Sequence, residues 1–223
     1  MLENQMMLLA VFERAALMLM TLFLLTRTRP FQRLFQKRDH TPAELVLVAS
    51  IFCLFAVFST YTGIPVEGAL INVRIIAIIS GGILFGPWVG IPAGVISGLH
   101  RYLIDMDGHT SIPCLIASII AGLLATWLHL RCRKSRLWLY GILAGMLCEG
   151  LTMLLIWLLT EPHEVGVEIV SHIAYPMIAG ALCIGLIIKL VQDLDDEKEL
   201  IAAKQAKLAL DIANQTLPFF QKV

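Results

Sequence analysis

Apolar residues in this chain neither alternate nor recur at helical spacing; they run on in long stretches, over residues 6–25, 43–61, 69–84, 88–103, 112–130, 137–159 and 167–191. Roughly 20 apolar residues carry a helix across the hydrocarbon core of a bilayer, so the pattern predicts about seven crossings and an all-α, polytopic membrane bundle of about six to seven spans. The third and fourth stretches are shorter and meet at Phe85, Gly86 and Pro87, which predicts half-helices or tilted spans. The first stretch reads as a retained span rather than a signal peptide, because its basic cluster follows the apolar run and no small-residue cleavage site is evident. After residue 191 the pattern changes to charged positions on a heptad. Val191, Lys198, Gln205 and Ile212 stand at a, with Leu194, Ile201 and Leu208 at d. This is a short, imperfect coiled-coil seam whose polar a positions would fix register at some cost in stability; an isolated amphipathic helix is the alternative.

Composition agrees with the pattern. A chain that is 58% hydrophobic and 15% charged, with mean hydropathy +0.79, is an integral membrane protein rather than a soluble monomer. The formal net charge of zero hides a segregation. Arg27, Arg29, Arg33, Lys37 and Arg38 crowd one loop, and Arg131, Arg133, Lys134 and Arg136 another, so both loops are predicted to be cytoplasmic. With seven crossings the N-terminus lies outside and the C-terminus inside, and Glu67, Asp105, Asp107, Glu161, Glu164 and Glu168 fall in outer loops. This distribution argues against nucleic-acid binding. The five cysteines, 53, 114, 132, 148 and 183, lie mostly in apolar runs without metal-ligand spacing and read as small apolar residues.

Against this background two arginines stand out. Arg74 and Arg101 lie in the otherwise apolar third and fourth stretches, where a cation costs at least about 2.5–3.5 kcal/mol unless it meets a partner, a wet cavity or an anion. At 1.5 Å per residue they stand roughly 18 and 22 Å from the bend at Gly86, so they can converge near the outer face. A guanidinium fork matches a carboxylate bidentately, which suits a small organic acid; snorkelling to the outer interface is the competing explanation. Glycines 82, 86, 90, 94 and 98 form a stripe for close helix packing, while Pro87 and Pro92 leave open an irregular backbone that lines a cavity. Glu13, Arg14 and Glu149 are further charges within apolar runs. An Arg14 to Glu149 pair is the simplest account of them, with ion coupling or signalling as the other. Cys114 and Ser118, one turn apart, could offer a thiol and a hydroxyl to a ligand or serve ordinary packing. His100, His172 and Tyr175 are weaker candidates.

Several motifs carry a family resemblance: Asn72-Val73-Arg74, the run Gly81-Gly82-Ile83-Leu84-Phe85-Gly86-Pro87-Trp88-Val89-Gly90, Gly98-Leu99-His100-Arg101-Tyr102, and the tail from Lys204 to Asn214. Over essentially its whole length the chain resembles the N-terminal membrane region of LytS-type sensor histidine kinases, the five-transmembrane-receptor family. The resemblance implies a transmembrane sensor domain over residues 1–191 and a cytoplasmic signalling helix over 192–223. That helix would lead to GAF and kinase domains absent from this chain, and the phosphoryl group would pass to a LytTR-type response regulator. No cofactor belongs to this fragment; ATP would serve the absent kinase domain. The expected assembly is a homodimer in the bacterial inner membrane. In pyruvate-sensing members the ligand is a small 2-oxo acid, and the matching positions here are Arg74, Arg101, Cys114 and, less directly, Ser118. Related sensors carry a hydroxyl three residues after the cysteine, where this chain has Ala117. Pyruvate has about six heavy atoms, so at a ceiling of roughly −1.5 kcal/mol per atom its affinity would be no tighter than about −9 kcal/mol. The glycine-rich third and fourth stretches also look similar to substrate-binding subunits of vitamin transporters, and a small-solute transporter or its binding subunit is the rival class; the charged tail argues against it.

Overall fold

The computed structural model describes residues 41–220 except 67–68 and 133–135, together with positions 6, 9, 10, 12–14, 16, 17, 20, 21 and 24. Over 64–66, 69–71, 195, 198 and 214–220 it describes the backbone alone. The basic residues Arg27, Arg29, Arg33, Lys37, Arg38, Arg133 and Lys134, and the acidic Glu67, lie outside the described residues. The described positions of the first apolar stretch are all helical.

Helix α1, Pro42–Tyr61, begins where the sequence Thr-Pro-Ala-Glu says it should. The Thr41 hydroxyl accepts from the Glu44 amide, the Glu44 carboxylate accepts from the Thr41 amide at 2.9 Å, and Pro42 takes the first helical position, where its missing N–H is no loss. Val48, Phe52 and Ala56 of this helix face inward, while Leu47, Leu54 and Phe58 face outward, as expected where the surroundings are lipid.

Next come two short antiparallel strands, β1 (Ile64–Val66) and β2 (Ala69–Ile71), with Pro65 opposite Leu70. This corrects one expectation, since residues 69–71 open a hairpin strand rather than the third span. Pro65 removes a donor that a helix would need, Ile64, Val66 and Ile71 are β-branched, and the Asn72 side chain accepts the Arg74 amide, starting the helix there.

The helices that follow are α2 (Arg74–Phe85), α3 (Pro87–Ile104), α4 (Ser111–Arg131), α5 (Leu137–Leu159) and α6 (His163–Phe220). Among the described residues four helices are long and apolar enough to cross a membrane: α1, α4, α5 and the part of α6 over His163–Ala213. The all-α membrane bundle is therefore present, with one small hairpin added. At twelve residues, α2 is about 18 Å long and falls short of a span. It is apolar all round, and it is also buried all round: every residue except Leu84 is buried, and it packs against α1, α3, α4 and α5. A helix with no polar face belongs at the centre of a bundle.

Between α2 and α3 the chain turns at Gly86, whose φ of 80° is costly for any residue with a side chain. His129 seals the turn from α4, its Nδ1 lying 2.8 Å from the Ile83 carbonyl, one of the orphan acceptors at the end of α2. The glycine stripe packs backbone against backbone. A Cβ on Gly90 would come within 2.8 Å of the Gly82 Cα, one on Gly94 within 2.5 Å of the Ser118 carbonyl, and one on Gly122 within 2.5 Å of the Gly90 carbonyl. Close approach of α2, α3 and α4 is therefore the role of the stripe. Gly141 and Gly145 of α5 instead receive side-chain methyl groups, Gly141 those of Ile184 and Ile188 and Gly145 that of Ile184 of α6.

The chain divides into two units, Met1–Ile188 and Lys189–Val223. The second is helical throughout its described length. Lys189 donates to Asp193 at 2.6 Å, one turn on, and Leu200, Ile201, Leu208, Leu210 and Ile212 are exposed.

Gly122→Ala should lower the stability of the purified protein by about 1–3 kcal/mol, because backbone rather than a mobile side chain occupies the space of the new methyl. Gly150, where a Cβ meets nothing within 4 Å, should accept alanine within about 0.5 kcal/mol. Thermal unfolding in detergent measures both.

Candidate functional site

Both arginines are sealed inside the bundle. Arg74 is 2% exposed and Arg101 is 0% exposed, so neither snorkels to an interface. Arg74 is the first residue of α2, not a residue deep within a span, because the hairpin takes the residues before it. That position is electrostatically unusual. The free amides at a helix N-terminus already carry partial positive charge, yet the first turn of α2 has a cation and no acidic residue, with the neutral Asn72 side chain accepting the Arg74 amide. The N-terminus of α4 likewise has no acidic residue in its first turn and no side-chain cap.

The first turns of α4 tie the two arginines together. Arg101, in the last turn of α3, donates from Nη2 to the Thr110 hydroxyl at 3.0 Å and from Nη1 and Nη2 to Asp105 Oδ2 at 3.2 and 3.1 Å. Arg74 donates from Nη2 to the Cys114 carbonyl at 3.4 Å. That carbonyl also accepts from the Ser118 hydroxyl at 2.6 Å, and the Cys114 amide donates back to the Thr110 carbonyl at 3.0 Å. Arg74, Arg101, Cys114 and Ser118 thus meet around one stretch of α4. Cys114 takes part through its backbone carbonyl, with its thiol buried, and Ser118 commits its proton to that same carbonyl.

The two guanidinium groups differ in how far they are satisfied. Arg101 holds a carboxylate and a hydroxyl, leaving Nε alone without a partner. Arg74 has one long hydrogen bond, and both Nε and Nη1 are buried without any. Arginine has five N–H donors in a planar fork, and orphaned donors on a buried cation are costly. The arrangement has one obvious complement, a small anion with oxygens spaced to take a fork.

The Arg14 to Glu149 pair is not formed. Glu149, on α5, is 4% exposed, and the arginine whose charge acts on it is Arg74; its Oε2 has no hydrogen-bond partner. Arg14 Nη1 is likewise buried without a partner, and Arg14 interacts electrostatically with its neighbour Glu13. Sequence separation gives no indication of the neighbours of Glu149; its helix α5 packs on α2, whose first residue is Arg74. His100 also feels the Arg74 charge, and its ring lies edge-on to Tyr61 at a centroid distance of 5.0 Å. His172 and Tyr175 stand apart from this cluster. His172 makes a local contact from Nδ1 to the Glu168 carbonyl at 2.9 Å, and Tyr175 is 62% exposed.

Asp105 and Thr110 were not singled out as site residues in the sequence. Asp105 is four residues after Arg101, a spacing at which helical side chains meet, so that signal was available. Its carbonyl accepts from the Gly108 amide at 3.2 Å and from the Ser111 hydroxyl, which fixes the loop between α3 and α4 over Arg101. At the same end of the bundle Thr160, following α5, donates to the His109 carbonyl at 3.5 Å.

Residues 28–194 match the family described as the 5TMR of 5TMR-LYT. The chain is 59% identical to the sensor histidine kinase YpdA of Escherichia coli K12 over 97% of its own length and 38% of the relative's. It is 31% identical to the sensor protein LytS of Bacillus subtilis 168, over 95% of this chain and 39% of that one. With the sensor histidine kinase BtsS of E. coli K12 it shares 29% identity over 93% of this chain and 38% of that protein. The chain therefore spans about two fifths of the length of these curated relatives. A helical membrane bundle and a family match over most of its length establish that the chain belongs to the 5TMR-LYT family, the membrane sensor region of LytS-type histidine kinases.

Proposed function

We propose that this chain is the ligand-sensing portion of a two-component receptor in the bacterial inner membrane, that it binds a small extracellular carboxylate, and that pyruvate is the ligand. The observation that carries this reading is the orphaned fork of Arg74, buried beside the turn of α4 that also holds Arg101. A carboxylate there would take charge-assisted hydrogen bonds from a cation that now lacks them. A 2-oxo acid would add a keto oxygen as a further acceptor for the same donors. The backbones of α2, α3 and α4 pack closely, which favours a ligand of few atoms.

Signalling would follow from differential binding, since only a ligand that binds one conformation better than another can shift the balance. A kinase domain using ATP, and a LytTR-type response regulator, would complete the pathway beyond this chain. The exposed Ile201 and Leu208, both on the d row of the heptad, would pair across a homodimer. The N-terminus would lie outside and the C-terminal helix in the cytoplasm.

Labelled pyruvate should bind saturably to the domain in nanodiscs. Arg74→Ala and Arg101→Ala should each weaken it by about 10- to 100-fold, the worth of a hydrogen bond to a charged group; binding unchanged in both folded variants would refute the assignment. Vesicles bearing the protein should not accumulate pyruvate, and uptake would favour a transporter instead. Ile201→Glu combined with Leu208→Glu should shift the protein toward monomer in cross-linking or sedimentation without altering pyruvate affinity, because like charges at d positions oppose pairing.

A further inference from the structure

We infer that the Asp105 carboxylate is a built-in competitor for the ligand: it occupies the Arg101 fork in the empty receptor and yields it to an incoming carboxylate. The inference rests on the carboxylate-binding reading above and adds what sets the affinity of that site.

The Arg101 side chain is 0% exposed, but the group that answers it is not equally enclosed, since the Asp105 side chain is 41% exposed. Nη1 and Nη2 of Arg101 converge on a single oxygen, Oδ2, at 3.2 and 3.1 Å. A guanidinium and a carboxylate pair best through two parallel bonds, one to each oxygen. Here Oδ1 takes no part in the contact, and Nε of Arg101 has no partner. The pair is joined, half open to solvent, and short of the geometry its two groups allow. A partly exposed carboxylate keeps much of its hydration, so leaving such a pair costs it little.

The loop between α3 and α4 does not need that carboxylate to keep its shape. The Asp105 carbonyl accepts from the Gly108 amide at 3.2 Å and from the Ser111 hydroxyl, and the Gly108 carbonyl accepts from the Ser111 amide at 3.0 Å. These bonds all end on backbone oxygens, so the Asp105 side chain can rotate out to solvent while the turn stays. Gly108 supplies the space the carboxylate fills, because a Cβ there would collide with both carboxylate oxygens. Among the described glycines only Gly86 has a positive φ, so the missing side chain at 108 serves the Asp105 contact and not the backbone of the turn.

Arg101 cannot shed its charge, so the exchange needs another anion to take the place of Asp105. The two arginines bond to successive turns of α4, Arg101 at Thr110 and Arg74 at Cys114. A carboxylate entering beside Arg74 therefore meets the same functional group already seated on the second arginine. Exchange conserves the charge around Arg101 and releases Asp105 to solvent. It also costs the ligand the Arg101–Asp105 pair, so the internal carboxylate lowers apparent affinity, as any tethered occupant at high effective concentration does.

The test is saturation binding of labelled pyruvate in nanodiscs to the unchanged chain, Asp105→Asn, Gly108→Ala and the double variant. Asp107→Asn, on an exposed neighbour in the same loop, controls for loop charge. Asp105→Asn leaves a neutral acceptor near Arg101 and should tighten pyruvate binding by about tenfold or more, the worth of a hydrogen bond to a charged group. Gly108→Ala alters no charge but evicts the carboxylate; it should also tighten binding, and it should add little on top of Asp105→Asn. Asp107→Asn should change affinity by less than about twofold, as expected of a screened surface charge. If Asp105 only orders Arg101, the sign reverses and both variants bind more weakly. Weaker or unchanged binding by folded Asp105→Asn, or a gain equalled by Asp107→Asn, would overturn the inference and leave the carboxylate site standing. Should Asp105→Asn fail to fold, Gly108→Ala decides by the same sign. Absence of saturable binding by the unchanged chain and Asp105→Asn alike is a different signature, which would bring down the site itself and this inference with it.

Discussion

A guanidinium group cannot lose its proton to escape burial, so the structure around it has to supply the missing charge. Two such groups are sealed into this bundle, and most of what is distinctive at its site end follows from how each is answered. Arg101 is answered from within the chain, by a carboxylate one turn on and by the hydroxyl that precedes α4. Arg74 is answered by one backbone carbonyl at 3.4 Å. The difference between the two is a difference in what remains to be bound.

The placement of Arg74 depends on the short central helix. A twelve-residue helix that is apolar on every side is stable only if it is surrounded, and surrounding it requires α3 and α4 to approach at backbone distance. Gly82, Gly90, Gly94 and Gly122 permit that approach, and Gly86 reverses the chain within one residue. Because α2 is too short to reach across a bilayer, its N-terminus ends inside the protein. The first residue of the helix is therefore buried, and that residue is a cation. The hairpin before it, which could have been a further turn of helix, is what stops α2 there.

Much of this was legible in the residues themselves. Stretches of apolar sequence marked α1, α4, α5 and the membrane part of α6 closely. The uncertainty attached to the third and fourth stretches was well placed: Phe85-Gly86-Pro87 is a sharp turn between two helices, neither of which is among the four long apolar ones. The strand at Ala69–Ile71 was missed because an apolar run of a few residues next to a helix looks like more helix. Arg74, Arg101, Cys114 and Ser118 were legible as residue types and through family motifs, but their roles were not. For Cys114 the sequence left a thiol contact and ordinary packing open; in the structure its carbonyl accepts from Arg74 and from Ser118. Glu149 was legible only as an expensive charge; its neighbour depends on which helices pack together, and that information is tertiary.

The unequal treatment of the two arginines bears on how binding could be felt elsewhere. Were both already satisfied, an incoming anion would have to displace an existing partner at each, and little net free energy would be left to favour one conformation over another. Were neither satisfied, the unliganded bundle would carry two uncompensated buried cations, a cost of several kcal/mol each on top of the marginal stability typical of a domain. With one arginine held by Asp105 and one left with unpartnered donors, the bundle carries one such cost rather than two. Arg74 is also the arginine on the helix that touches α1, α3, α4 and α5 at once. A change in the charge balance at the head of that helix is met by the packing of four neighbours, whereas the same change at Arg101 would be absorbed by a loop whose acidic side chain is 41% exposed. The less satisfied arginine stands on the helix that packs against four others.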